Sequence, residues 1–140
     1  MKIVICGATG FIGQNLLNFF DNGVNEIIAV FNKRKPLKNF SKNVFWYKAD
    51  LRIPYSLKNI IKNTDLFLQF AATTSGSRDI IQRPYIHVTD NAVINSYLLR
   101  DCFENNVRHF IFPSCTVMLQ SKENQKENEF DQNLEMHKSY

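Results

Sequence analysis

Residues Gly7 to Gly13 read GATGFIG, set between the apolar run KIVIC (Lys2 to Cys6) and the stretch NLLNFF (Asn15 to Phe20). Glycine loses more conformational freedom on folding than any other residue, so three of them at equal spacing need a physical reason. A strand that turns sharply into a helix supplies one. Gly7 permits the reversal, Gly10 leaves room for a pyrophosphate to approach the backbone, and Gly13 lets the helix pack closely on the sheet. Thr9, Phe11 and Ile12 fill the same turn and count with the glycines as expected dinucleotide contacts. The phosphates would sit at the positive end of the first helix.

Outward from this turn the pattern is regular. Lys2 to Cys6 is the near-continuous apolar run of a strand buried on both faces. A helix is expected from about Phe11 to Asp21, with Ile12, Leu16, Phe19 and Phe20 on its apolar stripe and Asn22-Gly23 as its stop. Glu26 to Phe31 and Val44 to Lys48 read as strands, and Ser56 to Lys62 as a capped helix. Asp65 to Phe70 reads as a fourth strand, Val88 to Asn105 as a long helix, and His109 to Phe112 as a fifth strand.

Such alternation points to βαβ units. The expected fold is α/β, a Rossmann-type three-layer arrangement: a parallel sheet of about five strands in the order 3-2-1-4-5, with helices on both faces. Residues 1–120 form the expected dinucleotide-binding domain. After Leu119 the sequence turns polar and aperiodic, so 121–140 reads as a tail leading towards a catalytic and substrate-binding part.

Composition excludes several classes. No apolar run approaches the roughly 20 residues a bilayer crossing needs, and the amino-terminal stretch is too short for a signal-peptide core; a cytoplasmic protein without a membrane partner is expected. Cys6, Cys102 and Cys115 are odd in number and embedded in apolar segments, which suggests reduced packing residues and no metal site. The net charge is +4. Six Lys or Arg and no acid lie between Ile27 and Ala49, whereas Lys122 to Tyr140 carries five acids against three lysines. No recognition helix or stacking-aromatic pattern accompanies the basic cluster, so nucleic acid is not the expected partner.

Further motifs follow the glycines in order: Ala49-Asp50-Leu51 after the third strand, Phe70-Ala71-Ala72 after the fourth, Asn91 in the long helix, and FIFPSCTVML at the fifth. Together they resemble the extended short-chain dehydrogenase/reductases of the nucleotide-sugar epimerase and dehydratase kind, from Met1 to about Leu119. The resemblance implies that Asp50, with Leu51 beside it, holds the adenine amino group. It implies that Phe70, Ala71 and Ala72 pack against the adenosine ribose, and that Asn91 supports the active-site backbone. It places Ser114 on the catalytic serine and Tyr140 near the catalytic tyrosine. Pro113 and Met118-Leu119 depart from the family's pattern. The family's Tyr-x-x-x-Lys pairing needs a lysine four positions past Tyr140, beyond these residues, so the sequence reads as a truncated, inactive portion of such an enzyme.

The implied chemistry is hydride transfer at a sugar carbon. The tyrosine takes or gives the hydroxyl proton and the serine bonds the same oxygen. Phe31 and Asn32 stand where an NAD enzyme usually offers Asp or Glu. Beside Asn32, a further expected coenzyme contact, Lys33, Arg34 and Lys35 instead suit a 2′-phosphate, so NADP is favoured over NAD. Thr73, Thr74 and Arg78, in a longer than average connection, suit a sugar or phosphate, and the expected substrate is a nucleotide sugar. Family members often pair through the helices after the fourth and fifth strands, which makes a homodimer possible. Two alternatives stay open: a nonenzymatic NAD(P)-binding sensor or regulatory protein, and a reductase of another carbonyl substrate.

Overall fold

A computed structural model of the chain describes residues 1–34, 40–74, 77–83 and 85–113. The elements in chain order are β1 (Lys2–Cys6), α1 (Phe11–Phe20), β2 (Glu26–Phe31), β3 (Val44–Lys48), β4 (Leu66–Gln69), α2 (Ser77–Gln82), α3 (Tyr85–Glu104) and β5 (His109–Ile111). All strand pairs are parallel, in the order β3-β2-β1-β4-β5. This is the sheet that the alternation predicts.

β1 lies at the centre because every position after Lys2 can be buried. Ile3 and Ile5 face one side, where they meet Leu17 of α1, Ile27 and Ala29 of β2, and Leu68 of β4. Val4 and Cys6 face the other, with Val30, Phe67 and three residues of α3, Ile94, Leu98 and Cys102. A strand apolar on both faces is what a sheet covered on both sides requires, and α1 and α3 supply the two covers. Burial pushes the Cys6 thiol well up and the Cys102 thiol up to about 12, so both stay protonated packing groups. Cys115 lies outside the described residues. Among the described residues no helix is long and apolar enough to cross a membrane.

The structure departs from the sequence reading at three places. In α1 the buried residues are Gly13 and Leu17, whereas Ile12 and Phe19 are exposed. Close approach at Gly13 turns the helix so that this pair faces the sheet, and Leu16 and Phe20 only lean on its edge. Ser56 to Lys62 is not a helix: Tyr55 and Asn63 at its borders take φ of 57° and 58°. The segment winds through turns in which Lys58 donates to the Tyr55 carbonyl at 3.1 Å and Ile60 to that of Leu57 at 2.9 Å. Leu57 and Ile61 are buried all the same, so turns bring this pair to the core where a capped helix is expected. Finally, α2 and the start of α3 occupy the stretch read as a connection before Val88.

At the foot of the sheet, Asp65 joins three strands. Its Oδ2 accepts the Lys2 backbone N–H at 2.9 Å, and its Oδ1 lies 3.0 Å from Arg108 Nη1 beside β5. The Lys2 N–H, then Arg108, hold the Asp65 carboxyl below the usual carboxylate range. A depressed folded value stabilises the fold above the unfolded pKa of about 3.9, and that contribution disappears as pH falls through the folded value. Asp65→Asn is therefore expected to lower the melting temperature by a few degrees at pH 7. The difference from wild type should shrink in melts below about pH 4; an unchanged difference there would count against the assignment.

Candidate functional site

The chain reverses after β1 at Gly7, which has a φ of 76°. A Cβ there would sit 2.6 Å from the Phe70 carbonyl oxygen, so the turn and the end of β4 close on each other only with glycine. A Cβ on Gly13 would collide with the Gly7 carbonyl oxygen and the Ala8 Cα. At Gly10 the situation differs, because only the Gly7 oxygen comes within reach, at 3.2 Å. The fold itself demands glycine at 7 and 13; at 10 a Cβ would press on the Gly7 oxygen alone, and the residue borders the groove.

That groove, about 630 Å³, runs along the carboxyl ends of the strands at the point where strand order reverses between β1 and β4. It is lined by Gly7, Thr9 and Gly10, by Asn32, Lys33 and Arg34 after β2, and by Asp50 and Leu51 after β3. Phe70, Ala71, Ala72, Thr73 and Thr74 line it after β4. No side chain caps α1 and its first turn holds no acid, so its unpaired amides offer their partial positive charge to a ligand. Phe31 turns its ring edge-on to Trp46, with centroids 5.9 Å apart.

Not every expected residue lines the groove. Gly13 is buried behind the turn, and Phe11 and Ile12 are exposed beside it. Arg78 is exposed on α2, and it is absent from the groove lining. Asn91 acts on the wall from behind: its Nδ2 donates to the Thr73 carbonyl at 3.2 Å, and the Thr73 N–H donates to its Oδ1 at 2.8 Å. His87, in α3, places Nδ1 3.3 Å from the same carbonyl. Ser114, Tyr140 and Lys35 lie outside the described residues.

Gln69 repeats this amide clamp one step earlier. It is fully buried at the end of β4. Its Nε2 donates to the Ala71 carbonyl at 2.9 Å and to Asn95 Oδ1 at 3.0 Å, while its Oε1 accepts the Ala71 N–H at 3.3 Å. Asn91 and Asn95, one helical turn apart on α3, thus hold the wall from Ala71 to Thr73 in place.

The electrostatics of the rim centre on Asp50. Arg52 grips its carboxylate through two nitrogens, at 3.0 and 2.7 Å. These bonds, with a smaller contribution from Lys33, hold the Asp50 carboxyl down at about 2. Arg52 also reaches Asp90 of α3 at 3.2 Å, and Asp90 lines the groove. Sequence reading missed Arg52, Asp90 and Gln69. The acid-base pair Asp50 and Arg52 was a local signal for the first, but Asp90 is 38 residues from Arg52, and no local pattern joins them.

Comparison with known proteins gives a consistent set of relatives. The model of the NAD dependent epimerase/dehydratase family matches residues 3–140. D-erythronate dehydrogenase from Haemophilus influenzae is 32% identical over 120 residues, which is 81% of this chain and 38% of that enzyme. The structure of UDP-N-acetylglucosamine 4-epimerase from Methanobrevibacter ruminantium, in complex with UDP-N-acetylmuramic acid, superposes with a TM-score of 0.76 at 24% identity, covering 91% of this chain and 43% of that one. UDP-glucose 4-epimerase from Bifidobacterium longum, in complex with NAD+ and UDP, gives 0.68 at 20% identity, over 84% and 38%. At those identities the two structures establish likeness of fold. The chain spans under half the length of each relative.

Proposed function

The chain belongs to the NAD dependent epimerase/dehydratase family, and on that premise we propose that it forms the NAD(P)-binding portion of an enzyme acting on a nucleotide sugar by hydride transfer. The observation that carries this is the place of Gly10 on the groove, where a Cβ would meet only the Gly7 oxygen. The neighbouring glycines are explained by collisions within the fold, but this one faces a groove and the uncapped start of α1. In this reading Gly7, Thr9 and Gly10 receive the diphosphate, with Phe11, Ile12 and Gly13 contributing amides of the first turn. Asp50 and Leu51 hold the adenine; Phe70, Ala71 and Ala72 border its ribose; Asn91 supports the wall. The residues present fit such a ligand, since Gly7, Thr9 and Gly10 at the diphosphate end bring no acid and Lys33, Arg34 and Arg52 line the groove.

The bound coenzyme would supply reversible hydride acceptance. Ser114 would hold a substrate oxygen and Tyr140 would move its proton, in a complete protein that brings a lysine to the tyrosine. Thr73 and Thr74 at the rim, with Arg78 on α2, would meet the sugar or its carrier. Relatives described with UDP-sugars or UDP support the nucleotide-sugar class. The domain boundary near residue 120 and a cytoplasmic setting belong to the same reading. So does a homodimer, which the exposed Val88, Leu99 and Phe103 on α3 favour.

NADP is the preferred coenzyme in this proposal, because the end of β2 offers Asn32, Lys33 and Arg34 and no acid. Calorimetric titration of the complete protein with NAD, NADP and a panel of nucleotide sugars tests it. Replacing Lys33 and Arg34 together by Ser is expected to cost about tenfold to a hundredfold in NADP affinity and to spare NAD. Equal losses for both would reduce the effect to general charge, and no binding of either coenzyme would overturn the proposal.

A further inference from the structure

The geometry points to Arg52 as a positioning residue for the adenine end of the groove: it orients Asp50 and ties that end to α3 through Asp90. The inference deepens the coenzyme reading above and rests on it. Asp50 Oδ1 accepts two donors from Arg52, the backbone N–H at 3.1 Å and Nε at 3.0 Å. Oδ2 accepts Nη2 at 2.7 Å. A carboxylate oxygen takes about two donors, so Oδ1 is filled and Oδ2 keeps one position free. Both ends of the carboxylate are held by one rigid planar fork, which fixes the direction of that free position.

The third guanidinium nitrogen, Nη1, donates to Asp90 Oδ2 at 3.2 Å. The same oxygen accepts the Thr73 hydroxyl at 3.1 Å, and the Thr73 backbone is clamped by Asn91. A continuous bonded path thus runs from Asp50, after β3, to Thr73, after β4, with each of its side chains bordering the groove. Arg52 is half-exposed, and ion pairs of that exposure contribute little to stability. Its geometric effect on Asp50 is the larger consequence. A correctly aimed Oδ2 selects a ligand that presents an N–H donor there, as the amino group of adenine does, against one that presents an oxygen.

The test measures binding of ADP-ribose and of its hypoxanthine analogue, inosine diphosphate ribose, to the complete protein by calorimetry. Wild type is expected to prefer ADP-ribose. Arg52→Gln should weaken ADP-ribose roughly fivefold and leave the analogue unchanged, and Arg52→Lys, which lacks the fork, should behave in the same way. Asp90→Asn should give a smaller loss, and the double variant should be no worse than Arg52→Gln alone, because the two share one path. A general structural role would weaken both ligands equally, and that result, or a preference unchanged in Arg52→Gln, would overturn the inference. If wild type binds ADP-ribose, only this inference falls with such results; if it binds neither ligand, the coenzyme reading falls as well.

Discussion

Gly13→Ala is expected to lower the melting temperature by about 10 °C or to leave the protein insoluble, whereas Gly10→Val melts within a few degrees of wild type and no longer responds to coenzyme. The first effect follows from what the added carbon meets. At Gly13 the obstacles are the Gly7 carbonyl and the Ala8 Cα, which are backbone atoms of the turn and cannot swing away as a side-chain end does. Overpacking against atoms that give way costs about 1–3 kcal/mol, and this position belongs at or above the upper end. For a chain of this size each kcal/mol shifts the melting temperature by roughly 3–4 °C.

At Gly10 only the Gly7 oxygen is near, at 3.2 Å, where a shift of a few tenths of an ångström relieves the contact, and the φ of −77° suits any residue. A bound coenzyme at a hundred times its Kd would stabilise wild type by about 2.7 kcal/mol, a shift that Gly10→Val should abolish by filling the place proposed for the diphosphate. Thermal melts with and without NADP and NAD check both statements. Wild-type melting of Gly13→Ala, or an undiminished coenzyme shift in Gly10→Val, would remove the division of labour among the glycines.

The sheet was legible because parallel strands carry their burial in composition: KIVIC and EIIAVF are apolar nearly throughout, and their boundaries coincide with β1 and β2. The groove was legible for a related reason. Its residues come from the few positions just after each strand, so the strand ends locate them. The cap reading failed at Ser56 to Lys62, as periodicity did in α1. Leu57 and Ile61 satisfy the helical spacing, but left-handed residues at Tyr55 and Asn63 confine the segment to turns. Periodicity failed for α1 because the contact face is set by a missing side chain at Gly13, and a pattern of apolar residues cannot register an absence. The Arg52 bridge and the Gln69 clamp were illegible because each depends on an α3 residue brought near by the fold.

Phe67→Ala is expected to cost about 3–5 kcal/mol, a large share of the roughly 5–15 kcal/mol that holds a domain together. Phe67 is fully buried in β4, paired with Val4 of β1, and its ring stacks on that of Phe110 in β5 at 5.5 Å and 10°. Removing it leaves a cavity where β1, β4 and β5 meet α3, and no neighbour there is free to collapse without shifting the sheet. β4 ends in the Gln69 clamp and the wall from Phe70 to Thr74, so the groove shares the fate of the strand. Saturating coenzyme should therefore restore part of the loss, up to about 2.7 kcal/mol at a hundred times Kd. Denaturant titration with and without coenzyme measures this directly. Recovery by ligand would mean that sheet and groove unfold as one cooperative unit. A variant that loses stability without any recovery, while wild type responds, would mean that the wall after β4 takes its shape independently of the strand beneath it.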